Sequence, residues 1–262
     1  MELKNITERV CELVIATGKY IQKETANFIS TDIEVKGLNN FVTYVDKRSE
    51  EKLITGLTSI LPGTGFIAEE SPLLKRSEIN WVIDPLDGTT NFIHGVPVFS
   101  ISVALMEKKE VLAGIIYEIN RDECFSTWKG SPSYLNGRII KVSEATKLSD
   151  CLLATGFPYY DFERLDAYLS VFSYFMETTH GLRRLGSAAA DLAYVACGRF
   201  DGFYEYGLNP WDVAAGCLLV ENAGGKLCDF RIGNDYIFGK EIIATNAKVF
   251  DEFNKAFIGN FR

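Results

Sequence analysis

The sequence predicts a mixed α+β and α/β protein, two subdomains packed into one unit over residues 1–262. Three observations lead there. Short runs rich in β-branched and aromatic residues crowd the stretch from 64 to 142, behind two segments with apolar residues at helical spacing. Beyond residue 150 strand-like and helix-like segments alternate, as they do where helices cover a sheet. The polar stretch "SEATKLSD", residues 143–150, lies between and marks a seam, so subdomains of about 1–142 and 143–262 are expected.

Taken in order, residues 3–24 place Ile6, Val10, Leu13, Val14 and Ile21 on one side of an amphipathic helix. "DKRSEEKLITGLTSIL" reads as a second helix that stops at Pro62-Gly63. "TGFIA", "WVID", "VFSISVALM", "EVLAGIIYEI" and "CFSTW" read as strands, and "YLNGRIIKV" as a hairpin turning at Asn136-Gly137. Past the seam come a strand at "CLLATG", a helix near 163–178 and another from Ser187. A strand at "GFYEY", a helix from Pro210, then "KLCDF" and "EIIATN" complete the chain.

Composition narrows the class. A chain of 262 residues buries about three quarters of its unfolded surface and folds without staples. The net charge of −8 argues against a nucleic-acid backbone as main partner, since affinity there rests on clustered Lys and Arg. No stretch approaches the roughly 18 apolar residues a membrane helix needs, and "MELKNITERV" lacks the apolar core of a secretory leader. Six scattered cysteines without a CxxC pair fit reduced thiols of the cytoplasm. With His94 and His180 the only histidines, serine-triad and His-rich zinc mechanisms have little to work with.

The chemistry gathers in acids. In "WVIDPLDGTTNFIHG", residues 81–95, a buried strand runs straight into Asp84 and Asp87. Asp-Gly alone would read as a turn, but charges at the end of a core strand cost several kcal/mol, roughly, unless a partner neutralises them. Two carboxylates brought together by a Pro-fixed loop suit a hard cation such as Mg²⁺, and Thr89 and Thr90 at a helix start suit an anion. "GFIAEES" repeats the theme with Glu69 and Glu70, a pair that by itself would read as solvated surface. In "NPWDVAAGCLLVENAGG", Asn209 and Pro210 open a helix whose first turn holds Asp212, with Trp211 anchoring that turn. "GSAAADLAYVACG" opens another: either its small residues let an anion approach bare N–H groups, or they serve tight helix packing. Together these features suit metal-assisted transfer of a phosphoryl group to water.

Both "WVIDPLDGTTNFIH" (81–94) and "WDVAAGCLLVENAGG" (211–225), with "GFIAEES" and "NFVTYVDKRSE" upstream, resemble the signatures of the inositol monophosphatase family, lithium-sensitive and Mg²⁺-dependent. The likeness spans essentially the whole chain. It implies a five-layered αβαβα sandwich, a homodimer, and two or three Mg²⁺ per site. Glu69, Asp84 and the Leu86 carbonyl would hold the first metal, Asp84, Asp87 and Asp212 the second, with a third near Glu69. Thr89 would orient the attacking water with Asp46 as its acidic partner, and Gly88 and Thr89 would meet the phosphate. Asp87, Gly186, Ser187, Ala188, Glu205 and Asp212 would face the alcohol, Glu205 deciding which polyol or sugar is taken.

The resemblance leaves Lys36 outside the catalytic set and gives His94 a structural place. Arg183 and Arg184 stay open between phosphate, a dimer interface and solvated surface, and the "YYDFERLD" loop near the substrate has no assigned role. Inositol 1-phosphate is the first expected substrate. Fructose 1,6-bisphosphate, histidinol phosphate and a 3′-phosphoadenosine nucleotide are the alternatives, the bisphosphates among them disfavoured because no Lys/Arg cluster for a second phosphate is visible. A binding or regulatory protein that has lost the chemistry is the remaining class, though every matched position carries a competent residue.

Overall fold

The computed structural model describes residues 2–26, 33–37, 40–72, 74–158, 162–258 and 261, with only the backbone at 33–37 and 40–41. The side chain of Lys36 and the first three residues of "YYDFERLD" therefore lie outside the described residues.

Helix α1 (Leu3–Thr25) buries Ile6, Val10, Val14 and Ile21 along one stripe. A short ladder of β1 (Ile33–Gly37) and β2 (Asn40–Thr43) leads into α2 (Tyr44–Ile60). Next come β3 (Gly65–Ala68), β4 (Ile79–Asp87), the single-turn α3 (Thr89–His94), β5 (Ser100–Glu107), β6 (Glu110–Glu118) and β7 (Glu123–Trp128). The hairpin of β8 (Ser133–Leu135) and β9 (Arg138–Ile140) turns where the sequence places it, with Asn136 and Gly137 both at positive φ. These strands form one sheet in the order β3-β4-β5-β6-β7-β8-β9.

Past the polar stretch lie β10 (Leu152–Thr155), α4 (Leu165–Thr178), β11 (Gly181–Arg183), α5 (Ala188–Ala196), β12 (Gly202–Tyr206) and α6 (Pro210–Asn222). Then follow β13 (Gly225–Cys228), β14 (Glu241–Asn246) and α7 (Phe250–Asn254). The second sheet runs β11-β10-β12-β14-β13 and is parallel only among its first three strands. The α/β alternation in the sequence thus describes β10 and β12, which β11 joins in parallel, while β13 and β14 close the sheet antiparallel. The β1-β2 ladder, β11 and α7 carry too few apolar residues to announce themselves and are absent from the sequence reading.

Layering follows from period-two burial. On β4, Trp81 and Ile83 face α1 and α2, while Val82 faces the opposite core. On β12, Phe203 faces α5 and α6 between the sheets, and Tyr204 faces outward among Tyr168, Phe175, Phe253 and Phe257 of α4 and α7 and their surroundings. The order is α, β, α, β, α, as the resemblance implies. No helix among the described residues is long and apolar enough to cross a membrane.

The middle layer depends on bare backbone. A side chain at Gly114 of β6 would begin 2.6 Å from the Ala215 carbonyl oxygen of α6. Neither backbone can retreat, so Gly114→Ala is expected to cost about 1–3 kcal/mol through overpacking. A denaturation midpoint equal to wild type would refute the tightness of that seam.

Candidate active site

The site begins where β4 departs from regularity. Opposite β5, Asp84 pairs with Ser102 and Asp87 with Ser100, so three steps on β4 match two on β5. In a regular strand residues three apart point to opposite faces. The extra residue is a bulge, which re-aims side chains and accommodates Pro85, and it returns Asp84 and Asp87 to the same side. The loop expected at "DPLD" is therefore a bulged strand end. Gly88 follows at φ 98°, a left-handed conformation with close backbone on two sides, and starts α3.

Three other elements converge on this end. Ala68 of β3 lies beside Ile83, and the Glu69 N–H donates to the Ile83 carbonyl at 3.3 Å, which brings Glu69 alongside Asp84. The next N–H, of Glu70, donates to the buried Glu50 carboxylate at 2.9 Å, so a third acid, from α2, holds the Glu69-Glu70 turn. Asp212 sits at the third position of α6, where its Oδ2 accepts from the Asn209 N–H at 2.6 Å. Ser102 Oγ donates to the Trp211 carbonyl at 2.9 Å and fixes that first turn to β5.

Asp46 is set by a helix cap. Its Oδ2 accepts from the N–H (2.8 Å) and hydroxyl (2.5 Å) of Thr43, the residue before α2. Its Oδ1 is left to face Thr89, whose hydroxyl lies 2.9 Å away and also 3.0 Å from the Leu86 carbonyl. Burial pushes the Asp46 carboxyl up to about 6 against the pull of Thr43.

Asp87 is a fastener as well as a site acid. Its Oδ2 accepts from Ser187 Oγ at 2.7 Å and from the Ala189 N–H at 2.8 Å, both about a hundred residues away. The Ala189 N–H of α5 therefore meets a protein carboxylate, and Ala188, Ala189, Ala193 and Ala196 are buried in the middle layer. Of the two readings left open for "GSAAADLAYVACG", tight packing accounts for the alanines. Gly186, Ser187 and Ala188 nonetheless line the cleft.

The cleft is lined by Glu69, Asp84, Leu86, Asp87, Gly88 and Thr89 and by Arg184, Glu205 and Asp212. Its acids repel one another. Burial first, and then Glu69, Asp87 and Asp212, push Asp84 well above the usual carboxylate range. Burial and then Asp87 do the same to Asp212. Asp87 rises to about 6, burial outweighing its bonds from Ser187 and Ala189. Burial takes Glu205 to about 8, with Arg184 opposing and Asp87 adding.

Among the described residues, no three acidic, His or Cys side chains are drawn close enough to form a ready-made metal cage. The donor chemistry still fits hard dications: buried and half-buried, mutually repelling carboxylates and a backbone carbonyl, with neither imidazole nor thiolate among the described residues of the cleft.

Arg184 was undecided in the sequence. It lines the cleft with its guanidinium 5.6 Å over the Phe157 ring, whereas Arg183 is exposed and bonds the Leu182 carbonyl. His94 is exposed at the end of α3 and away from the cleft lining. Asp191, unnoticed in the sequence, is buried in α5, with no hydrogen-bond partner for its Oδ1 among the described residues. Only its place in the first turn of an alanine-rich helix could have flagged it.

Strand ends deliver acids into one cleft of a mixed α+β sandwich, and comparison with known proteins shows the phosphatase family to which such a chain belongs. The chain belongs to the inositol monophosphatase family, whose profile matches residues 2–258. It is 36% identical to an inositol-1-monophosphatase of Mesorhizobium japonicum over 237 residues, 90% of this chain and 89% of that protein. It is 40% identical over 247 residues to the Nus factor SuhB of Escherichia coli K12, covering 94% of this chain and 91% of that one. The crystal structure of the extragenic suppressor protein suhB from Bartonella henselae superposes with a TM-score of 0.91 at 36% identity, covering 97% of this chain and 99% of the other. The inositol monophosphatase of Anabaena gives 0.87 at 36% identity, covering 98% and 97%.

Proposed function

We propose that the protein is a Mg²⁺-dependent phosphomonoesterase that releases inorganic phosphate from inositol 1-phosphate. The observation that supports this most is the convergence of Glu69, Asp84, Asp87 and Asp212 on the end of β4, beside a hydroxyl–carboxylate pair, Thr89 and Asp46. On this reading Glu69, Asp84 and the Leu86 carbonyl hold one Mg²⁺, and Asp84, Asp87 and Asp212 a second, with a third beside Glu69. Bound there, Mg²⁺ lowers the pKa of water and neutralises charge on the phosphate.

The chain's own groups do the rest. Thr89 Oγ orients the attacking water and takes a hydrogen bond from it while donating to Asp46 Oδ1, the residue that holds the proton. The N–H groups of Gly88 and Thr89 bind phosphate oxygens. Glu205 accepts hydrogen bonds from hydroxyls of the alcohol, beside Gly186, Ser187 and Ala188. The protein is proposed to act as a cytoplasmic homodimer. Six free thiols suit a reducing compartment, and the exposed Leu169 and Met176 on α4 suit self-association.

Phosphate release from inositol 1-phosphate, fructose 1,6-bisphosphate, histidinol phosphate and 3′-phosphoadenosine 5′-phosphate, with Mg²⁺, chelator and lithium, tests the reading. Preference for inositol 1-phosphate that chelation abolishes is expected. Preference for another ester would keep the site and displace the substrate. A regulatory role is the second reading, favoured by relatives named as Nus factors at 39–40% identity. Absence of turnover on every ester would put it first.

The hydroxyl–carboxylate pair makes its own prediction. Asp46→Asn and Thr89→Val are each expected to lower kcat about 10²-fold or more with little change in KM. Burial favours the protonated Asp46 carboxyl, which cannot accept another proton, so with Mg²⁺ saturating wild-type kcat falls as the pH is lowered. An acid limb unchanged in Asp46→Asn would remove Asp46 from that role.

A further inference from the structure

Strand β10 ends at Thr155 and lies parallel to β12, with Thr155 level with Tyr204, so Gly156 comes beside Glu205 at the cleft wall. A Cβ built on Gly156 would stand 2.0 Å from the carboxyl carbon and from both carboxylate oxygens of Glu205. The Glu205 carboxylate thus occupies the volume that any side chain at 156 would need. Neither backbone has room to yield. Thr155 is pinned through its hydroxyl to the Tyr204 carbonyl and the Tyr168 hydroxyl, both at 2.8 Å, and Glu205 is paired with Ile242 on β14. The part that can move is the far end of the Glu205 side chain.

We propose that Gly156 is a specificity-setting position, because its missing side chain fixes where the Glu205 carboxylate stands and therefore which alcohol the cleft accepts. The proposal rests on the phosphatase reading and adds a positioning residue to it. Gly156 itself offers the substrate no functional group. It keeps the carboxylate folded back into the wall, which leaves the open side of the cleft to a hydroxylated ring. One methyl at 156 pushes that carboxylate into the space the ring would occupy.

The test compares wild type, Gly156→Ala, Glu205→Asp and the double variant Gly156→Ala/Glu205→Asp on two esters. Inositol 1-phosphate presents hydroxyls to the wall, and 4-nitrophenyl phosphate presents none. Gly156→Ala is expected to raise KM for inositol 1-phosphate about tenfold, the effect of one misplaced hydrogen-bonding group, with kcat within about twofold. Its kcat/KM on 4-nitrophenyl phosphate should stay within about twofold of wild type. Glu205→Asp withdraws the carboxylate by one C–C bond, about 1.5 Å. In the double variant it should therefore recover most of the loss, giving non-additive KM values.

Equal losses on both esters, additive losses in the double variant, or an unchanged KM for inositol 1-phosphate would each overturn the proposal while leaving the phosphatase reading intact. A wild type that hydrolyses neither ester would overturn both.

Discussion

Asp84→Asn is expected to abolish Mg²⁺-dependent phosphate release, by about 10³-fold or more, and at the same time to stabilise the metal-free protein. The first effect follows from its place in both proposed metal sets, where the Lewis acid is worth several kcal/mol to the reaction. The second follows from the crowding at Asp84, which is buried and faces Glu69, Asp87 and Asp212. Asparagine removes that charge, and its Oδ1 can still accept from the Leu86 N–H, which lies 2.9 Å from the Asp84 oxygen. Relief of about 1–2 kcal/mol is expected in denaturant titrations with chelator present. Asp87→Asn is a less clean probe, since it also weakens the fastening of α5 through Ser187 and Ala189. Turnover at the wild-type rate in Asp84→Asn would take Asp84 out of the metal set.

Without metal, stability is expected to fall as pH rises from about 5 to about 8, and Mg²⁺ is expected to restore it. Glu205 and Asp191, neither a proposed metal ligand, decide the sign. Burial holds both above the usual carboxylate range, Glu205 at about 8. Between the ordinary carboxylate pKa of 4.5 and about 8, the folded protein therefore keeps a proton on Glu205 that the unfolded chain has released. With more protons bound in the folded state, unfolding free energy declines as pH climbs, by on the order of 3–5 kcal/mol from Glu205 alone. Glu123, held below the usual range by Arg199, acts in the opposite direction, but at a partly exposed ion pair that solvent screens. Mg²⁺ adds more at pH 8 than at pH 5, because its ligands must be deprotonated to bind. Denaturant midpoints at the two pH values, with chelator and with Mg²⁺, provide the check. A chelated protein that gains stability toward pH 8 would contradict the burial of these acids.

Much of this was legible in the chain because it is written in local pattern. The apolar stripe of α1, the Asn136-Gly137 turn and the Asn209-Pro210 helix start each need only a few neighbouring residues, and all fall where the sequence puts them. Asp84 and Asp87 were legible for a related reason, since charge at the end of a buried strand is locally anomalous, whereas Glu69, Glu205 and Asp46 were reached only through the family resemblance. What escaped is long-range. The bulge that turns Asp84 and Asp87 to one side is a matter of register with β5, which no spacing along β4 reveals. The bond from Ala189 to Asp87 joins residues 102 apart, and it decides between the two readings that the sequence left open for that helix start. Glu50 beneath Glu70, and Arg184 over Phe157, are likewise products of packing between elements.

The cleft lies between two scaffolds. Glu69, Asp84, Asp87 and Thr89 stand at the end of the seven-stranded sheet, with Asp46 supplied by α2 packed on it, while Gly156, Arg184 and Glu205 stand at strand ends of the five-stranded one. On the proposed reading, most groups that break the phosphate ester and the wall that greets the alcohol are thereby carried on different sheets, with Asp87 and Asp212 serving both. A lineage can exchange residues at the ends of β10 and β12 and change its diet without disturbing a single metal ligand. Such an architecture lets substrate preference drift among descendants while the hydrolytic machinery stays put, and it makes a shared mechanism a poor guide to a shared metabolite.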